Sequence, residues 1–244
     1  MRGILCCLAI WCAVPGVALA GPWPRAEGGV FMALSAEQTK NDDRYTGLYA
    51  EYGLRARDTL GFELGHTTGE TSAILWWQRA LGRGEGPNHF TMMSGIGALE
   101  RGNELLPLAV MGASWGRGFD SLPVLRQVPG GGWLSLDLRY KVAGAMKDED
   151  EMAELAAEGA GLLSYITPEA TAKAELTLGW HATDHLMLIN QFRFEDRDDT
   201  GFSSKLAVSV VRDLWGPAKL ELGVIEPLSG PGETAVKLGT WVEF

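Results

Sequence analysis

Through most of this chain apolar and polar residues alternate with a period of two, and no other feature of the sequence restricts its fold as strongly. The last segment shows it best: Val236, Leu238, Thr240, Val242 and Phe244 fall on one face, and Lys237, Gly239, Trp241 and Glu243 on the other. Leu134, Leu136, Leu138, Tyr140 and Val142 alternate with Ser135, Asp137, Arg139 and Lys141. Ala172, Ala174, Leu176, Leu178 and Trp180 do the same against Lys173, Glu175, Thr177 and His181. An extended chain sends successive side chains to opposite faces, whereas a helix would scatter these charges around its whole circumference. About twelve segments carry the pattern: 28–38, 45–55, 58–67, 71–82, 88–100, 104–116, 131–143, 170–182, 185–195, 203–214, 217–226 and 233–244. In segments four to six the faces are hardest to assign, since Ala73, Leu75 and Trp77 compete with Ile74 and Trp76.

The amino terminus departs from this pattern. Met1 and Arg2 precede an apolar run from Ile4 to Leu19, and Ala18-Leu19-Ala20 offers the small residues a signal peptidase accepts. Residues 1–20 are therefore expected to be a signal peptide cleaved before Gly21, leaving 21–244 as a single domain. Cys6, Cys7 and Cys12 all lie in that leader, so the expected mature chain has no cysteine and no disulfide. Beyond it, no run reaches the roughly 18 apolar residues that a spanning helix requires. A hydrophobic content of 46% is too high for a disordered chain, and a net charge of −10 supplies no basic stripe for nucleic acid.

Strands with one apolar face suit two architectures. A soluble periplasmic β-barrel turns that face inward, around an apolar ligand; a membrane barrel turns it outward, to lipid. Connection lengths favour the second. With a periplasmic amino terminus, the connections near 55–58, at 183–184 and at 215–218 are periplasmic and short, while those at 38–44, 144–169, 196–202 and 227–232 are external and mostly longer. The long stretch 117–130 does not fit this scheme and puts the strand count around 104–143 in question. Trp77, Trp115, Trp133, Trp180, Trp215 and Trp241 all fall near periplasmic strand ends, as in an interfacial girdle, although Trp133 and Trp241 have inward parity.

The terminal strand, with Val236, Leu238, Thr240 and Val242 leading to a final Phe244, resembles the signal that bacterial outer-membrane β-barrel proteins present to their assembly machinery. Tyr49-Ala50-Glu51-Tyr52-Gly53-Leu54 and Leu176-Thr177-Leu178-Gly179-Trp180 are similar to strands of proteobacterial porin-like barrels. The resemblance implies a closed antiparallel up-and-down transmembrane β-barrel in the outer membrane. Its implied partners are outer-membrane lipid, lipopolysaccharide and the barrel assembly machinery.

On that fold the inward row carries Glu51, Arg55, Glu63, Asp137, Arg139, Lys141, Lys173, Glu175, Arg193, Glu195, Lys205, Asp213, Lys219, Glu221 and Lys237. The signs are mixed, so the row reads as mutually neutralising wall charges or as a charged constriction in a narrow lumen. The acidic stretch Lys147-Asp148-Glu149-Asp150-Glu151 matches no calcium loop and reads as a solvated rim. His66, followed by Thr67-Thr68-Gly69, would face the outer leaflet; it is the candidate centre of a lipid-modifying enzyme but lacks an orienting partner in the sequence. His89, His181 and His185 show no metal spacing, and no cofactor motif is present. The expected function is a narrow porin-like channel or structural barrel without catalysis.

Overall fold

In the computed structural model, which describes residues 21–244 apart from 83–85, 103, 148, 160, 162, 163 and 165, each alternating segment becomes a strand paired antiparallel with its chain neighbours. The leader expected at 1–20 lies outside the described residues. The strands are β1 (Val30–Thr39), β2 (Arg44–Arg55), β3 (Asp58–Thr67), β4 (Glu70–Leu81), β5 (His89–Arg101), β6 (Glu104–Gly118), β7 (Gly132–Met146), β8 (Ile166–Thr183), β9 (Leu186–Arg197), β10 (Gly201–Asp213), β11 (Ala218–Ser229) and β12 (Ala235–Glu243). A short helix, α1 (Glu149–Ala157), lies between β7 and β8. β12 pairs with β1 from Phe31↔Glu243 to Thr39↔Ala235, closing a barrel of twelve strands. Closure pairs the last edge with the first and leaves no open row of backbone donors and acceptors. The start of β1 and the end of β12 meet at one mouth, where Val30 and Phe244 exchange backbone hydrogen bonds of 3.0 and 2.9 Å. We call this the terminal mouth.

The apolar rows face out. Leu34 is 57% exposed, Ile96 72%, Leu105 72% and Val236 61%. Charge on the outward rows is confined to strand ends, with Arg79, Arg117 and Arg212 toward the terminal mouth and Glu100, Asp196 and Glu226 toward the other. An apolar band of this extent is stable only against a nonaqueous surface, as in transmembrane barrels. The soluble barrel with its apolar rows inward is thereby overturned.

The interior differs from the expectation of a wholly ionic bore. On β4 the competition resolves with Ile74 and Trp76 inward, 1% and 2% exposed, and Leu75 and Trp77 outward. β6 turns Leu108 and Val110 inward, and with Ile74, Trp76 and Ala143 they form an apolar cluster against which Tyr49, Met93 and Leu99 pack. A second cluster joins Trp133, Met187, Ile189 and Val211, with Trp23 and Trp241 packed on it. Two glycines make room for the indoles. A Cβ on Gly61 would fall within the ring of Trp76, and one on Gly179 within that of Trp133.

The strand count through 104–143 holds, because β6 and β7 pair without a break from Leu108↔Ala143 to Gly118↔Trp133. The long connection at 119–131 folds into two 3-10 turns and buries Phe119 at the terminal mouth. Connection length is a weaker guide than expected. The turns at 40–43, 68–69 and 198–200 of the opposite mouth are no longer than the turn at 214–217 of the terminal mouth, while the connection between β7 and β8, which carries α1, is the longest. Trp77, Trp115 and Trp180 lie on the outward row near the terminal mouth and Trp215 lies exposed in a turn there, whereas Trp133 and Trp241 point inward.

The packing of Trp76 yields a contrast. Gly61→Ala forces the buried indole to move and should destabilise the barrel by about 1–3 kcal/mol. Gly69→Ala, in a hairpin turn with nothing within 4 Å of the added atom, should be neutral. The temperature at which heat-modifiable gel migration is lost checks both.

Candidate functional site

Because interior side chains come from every second residue of strands all around the wall, groups far apart in sequence meet across the bore. Glu63 of β3 takes Arg139 Nη1 at 2.8 Å and lies 3.5 Å from Lys141 Nζ, both from β7. Arg193 of β9 reaches Glu37 of β1 at 3.1 Å and Glu175 of β8 at 3.5 Å, and also donates to Gln191 at 2.9 Å. Lys173 pairs with Glu195 at 2.9 Å. Lys237 pairs with the buried Glu221 at 2.7 Å, and Trp241 Nε1 donates to the same carboxylate at 3.2 Å. Lys219 pairs with Asp213 at 2.7 Å near the terminal mouth. Lys205 lies on the interior side just past a register shift in β10 and makes none of these pairs.

Two of the inward-row residues behave differently. Arg55 lies beyond a register shift at the end of β2 and is exposed at the rim, outside the bore. Asp137 takes hydroxyl hydrogen bonds from Ser114 at 2.5 Å and Ser135 at 3.5 Å rather than an ion pair. In the closing strand, Val236, Leu238, Thr240, Val242 and Phe244 lie along the outward row.

Several interior charges escape the sequence reading. Glu37 has the parity of Phe31 and Ser35 on β1, which simple extension of the alternation would have found. At the mouth opposite the termini, Arg101 binds Glu70 and Glu169, each at 2.7 Å. Arg197 binds Glu70 at 3.1 Å and Asp199 at 2.8 Å. Lys141, Lys173 and Glu195 join these groups around a cavity of about 110 Å³. These residues sit at strand ends, where the period fades.

The terminal mouth is filled by residues 21–29, which no periodicity marks. Pro22 is buried beside Gly116, and Trp23 packs on His89 with ring centroids 5.5 Å apart and planes tilted by 40°. Arg25 is buried, bonded through Nε to Glu51 and through Nη1 to Glu243 at 2.9 Å, with its guanidinium 4.4 Å above the Phe31 ring. Tyr49 donates to the other oxygen of Glu51 at 2.5 Å. Gly28 and Gly29 then exchange backbone hydrogen bonds with Gly53 at the end of β2. Toward the terminal mouth the interior is thus packed with aromatic side chains around the Arg25–Glu51–Glu243 group, and toward the other mouth ion pairs predominate.

His66 stands on the outward row, with Nδ1 2.8 Å from Thr71 Oγ1. Its neighbour Thr67 bonds to the backbone of Glu70, so that hydroxyl is committed to the hairpin. A shallow apolar groove of about 420 Å³ crosses the outer face beside His66, lined by Leu34, Leu48, Leu64 and Leu238. Among the described residues no group of three or more His, Cys, Asp or Glu could hold a metal ion.

No family model and no curated protein matches the chain. Solved structures do. An outer membrane channel from Pseudomonas putida F1 superimposes with a TM-score of 0.55 at 11% identity, covering 94% of this chain and 100% of that one. KdgM porin gives 0.52 at 10% identity over 88% and 99% of the two chains, and NanC porin gives 0.53 at 8% over 87% and 98%. At such identities the likeness is one of fold.

The turn between β9 and β10 carries a pH dependence. The Arg197 guanidinium, hydrogen-bonded to Asp199, holds that carboxyl below the usual carboxylate range. A depressed folded value means that the stabilisation is complete above the unfolded pKa of about 3.9 and is lost as pH falls through the folded one. Protection of the amides in the 198–200 turn, corrected for intrinsic exchange, should therefore fall in acid, and Asp199→Asn should weaken that dependence.

Proposed function

We propose that the protein is a narrow porin-like channel of the bacterial outer membrane, exported through a leader cleaved before Gly21. One observation carries this reading. The outward rows are apolar at mid-strand, while ionisable groups from β1, β3, β7, β8 and β9 converge on the interior. Ionisable groups within a membrane are costly and mark solute or ion paths. Here Glu37, Glu63, Glu175 and Glu195 are each close to a base, so the path would be weakly selective and small. Twelve strands enclose a far narrower bore than porins of about sixteen strands, and the indoles of Trp76 and Trp133 narrow it further. The channel-named neighbours agree with this reading at the level of fold.

In this proposal the terminal mouth faces the periplasm and the mouth with the Glu70, Arg101 and Arg197 cluster faces the exterior. The row ending in Phe244 is the signal read by the barrel assembly machinery. Lipid and lipopolysaccharide cover the outward rows.

The bilayer experiment is direct. The purified barrel should show small unitary conductance steps in planar membranes, with little preference between potassium and chloride. Glu63→Gln leaves Arg139 and Lys141 without their shared carboxylate, so the reversal potential in a salt gradient should shift toward chloride. Absence of steps in both proteins would reduce the barrel to a structural role.

The proposal includes no chemistry at the wall. His66 faces the lipid band beside a hydroxyl from Thr71, and no carboxylate is among its hydrogen-bond partners. An acyl-transfer site needs a base that is itself oriented and a nucleophile within reach of it. Phospholipid turnover should be undetectable for the wild type and equally so for His66→Ala; activity present in the first and missing in the second would establish the lipid-modifying reading instead.

A further inference from the structure

Asp137 stands apart from the other carboxylates in the middle of the interior. Glu51, Glu63, Glu175 and Glu221 each touch a lysine or an arginine, but Asp137 belongs to none of the ion pairs found among the described residues. Its partners are the hydroxyls of Ser114 on β6 and Ser135 on its own strand. The groups around it do not supply the missing charge. Arg139, two residues along β7, is engaged by Glu63. Glu175, opposite Asp137 in the β7–β8 register, adds a second negative charge. Gln78 of β4 is neutral, and its amide donates to the carbonyl of Gly21 at 2.8 Å. His89 of β5 packs against Trp23.

What does lie against Asp137 is Gly21. A Cβ placed on that glycine would be 3.0 and 3.1 Å from the two carboxylate oxygens. The backbone nitrogen of Gly21 is one bond from the same Cα, and the peptide plane that follows is fixed by the Gln78 hydrogen bond and by the buried Pro22. Gly21 also begins the segment that fills the terminal mouth. Residues 28 and 29 are fastened to Gly53 at the end of β2, while Gly21 reaches Asp137 on β7, so the segment crosses the bore from one wall to the other.

We propose that Asp137 is the interior binding site for the chain's own new amino terminus, the α-ammonium group that leader removal creates on Gly21. The inference rests on the reading that the leader is cut before Gly21. In that hydrolysis the Ala20–Gly21 C–N bond breaks and water supplies the oxygen to the Ala20 carbonyl carbon. After ionisation one product carries a carboxylate and the other an ammonium. The reaction thus delivers one positive charge beside a central carboxylate that has no basic partner among the described residues, and a buried carboxylate is stable mainly when paired. The ammonium offers three donors, and Asp137 has acceptor capacity beyond the two serine bonds. The segment is then held by charge at both ends, through Gly21 to Asp137 and through Arg25 to Glu51 and Glu243. Maturation and closure of the terminal mouth become one event. A chain still carrying residue 20 has a neutral peptide nitrogen at that place and cannot form the pair.

The test uses the full-length protein processed in cells and purified in detergent. Intact mass identifies the first residue. Competitive reductive methylation with isotopic formaldehyde from pH 6 to 11, read by mass spectrometry of the amino-terminal peptide, gives the apparent pKa of the α-amine. An exposed α-amine titrates at about 7.7–8.0. The expected result is a first residue Gly21 whose amine titrates at least about one unit higher in the folded barrel, which makes the reactive fraction at pH 8 roughly four- to sixfold smaller. It should return to the ordinary range in Asp137→Asn and in a variant with one alanine inserted after the cleavage site. If the mass begins at Gly21 and the folded wild type titrates in the ordinary range, the pairing is wrong while the cleavage reading survives. If the mass begins elsewhere, both fail. The titration of the wild type decides the pairing even if neither variant folds, and the channel reading is decided separately by conductance.

Discussion

A backbone that crosses lipid has no water to satisfy its peptide groups, so every donor and acceptor must find a partner within the protein. Here the requirement is met by the pairing of β12 with β1, which turns a meander of hairpins into a cylinder without edges. The other features follow from that closure. Once the sheet is closed, each strand has an outer and an inner row, and the two-residue period assigns every side chain to one of them. The outer row then has little choice of composition, because its surroundings are hydrocarbon. The inner row is free to carry charge or to fill space.

This barrel does both. Toward the mouth opposite the termini the wall carries acids and bases in mutual contact, such as Glu63 with Arg139 and Lys141. Toward the terminal mouth the interior is occupied by Trp76, Trp133 and Trp241, with Trp23 and Arg25 brought in by the amino-terminal segment. Glycines across from the indoles permit this filling, since a Cβ at Gly61 or Gly179 would occupy ring space. The ionic wall toward one mouth thus gives way to a packed aromatic floor at the other. The amino-terminal segment belongs to that floor, fixed through Arg25 to Glu51 and Glu243 and through Gly28 and Gly29 to Gly53.

Strands whose two rows differ in polarity were legible in the sequence. β12, with Lys237 and Glu243 between aliphatic neighbours, and β7, with Asp137, Arg139 and Lys141 between leucines and Tyr140, could hardly be assigned otherwise. β4 and β6 resisted for a physical reason. Where the interior is itself packed with Ile74, Trp76, Leu108 and Val110, both rows are apolar and polarity no longer separates inside from outside. Arg25 and the segment around it were invisible because irregular backbone has no period; only tertiary contact reveals its partners Glu51 and Glu243. Arg55 went wrong because a register shift breaks parity at the end of β2. The parity of His66 followed from Leu60, Phe62 and Leu64, but the commitment of Thr67 to the hairpin depends on the turn geometry that brings its hydroxyl to the backbone of Glu70.

The account rests on which row meets lipid, and one pair of adjacent residues tests it. The mature chain expected from leader cleavage lacks cysteine, so Leu34→Cys and Ser35→Cys can each carry a single nitroxide label in barrels reconstituted in lipid. Relaxation by oxygen and by a water-soluble nickel chelate should differ in opposite senses at the two sites: the label at 34 accessible to oxygen and shielded from nickel, the label at 35 shielded from oxygen relative to 34. A label at 34 that meets nickel as freely as one in an exposed turn, with 35 accessible to lipid-dissolved oxygen, would contradict the orientation on which the structure and its proposed function depend.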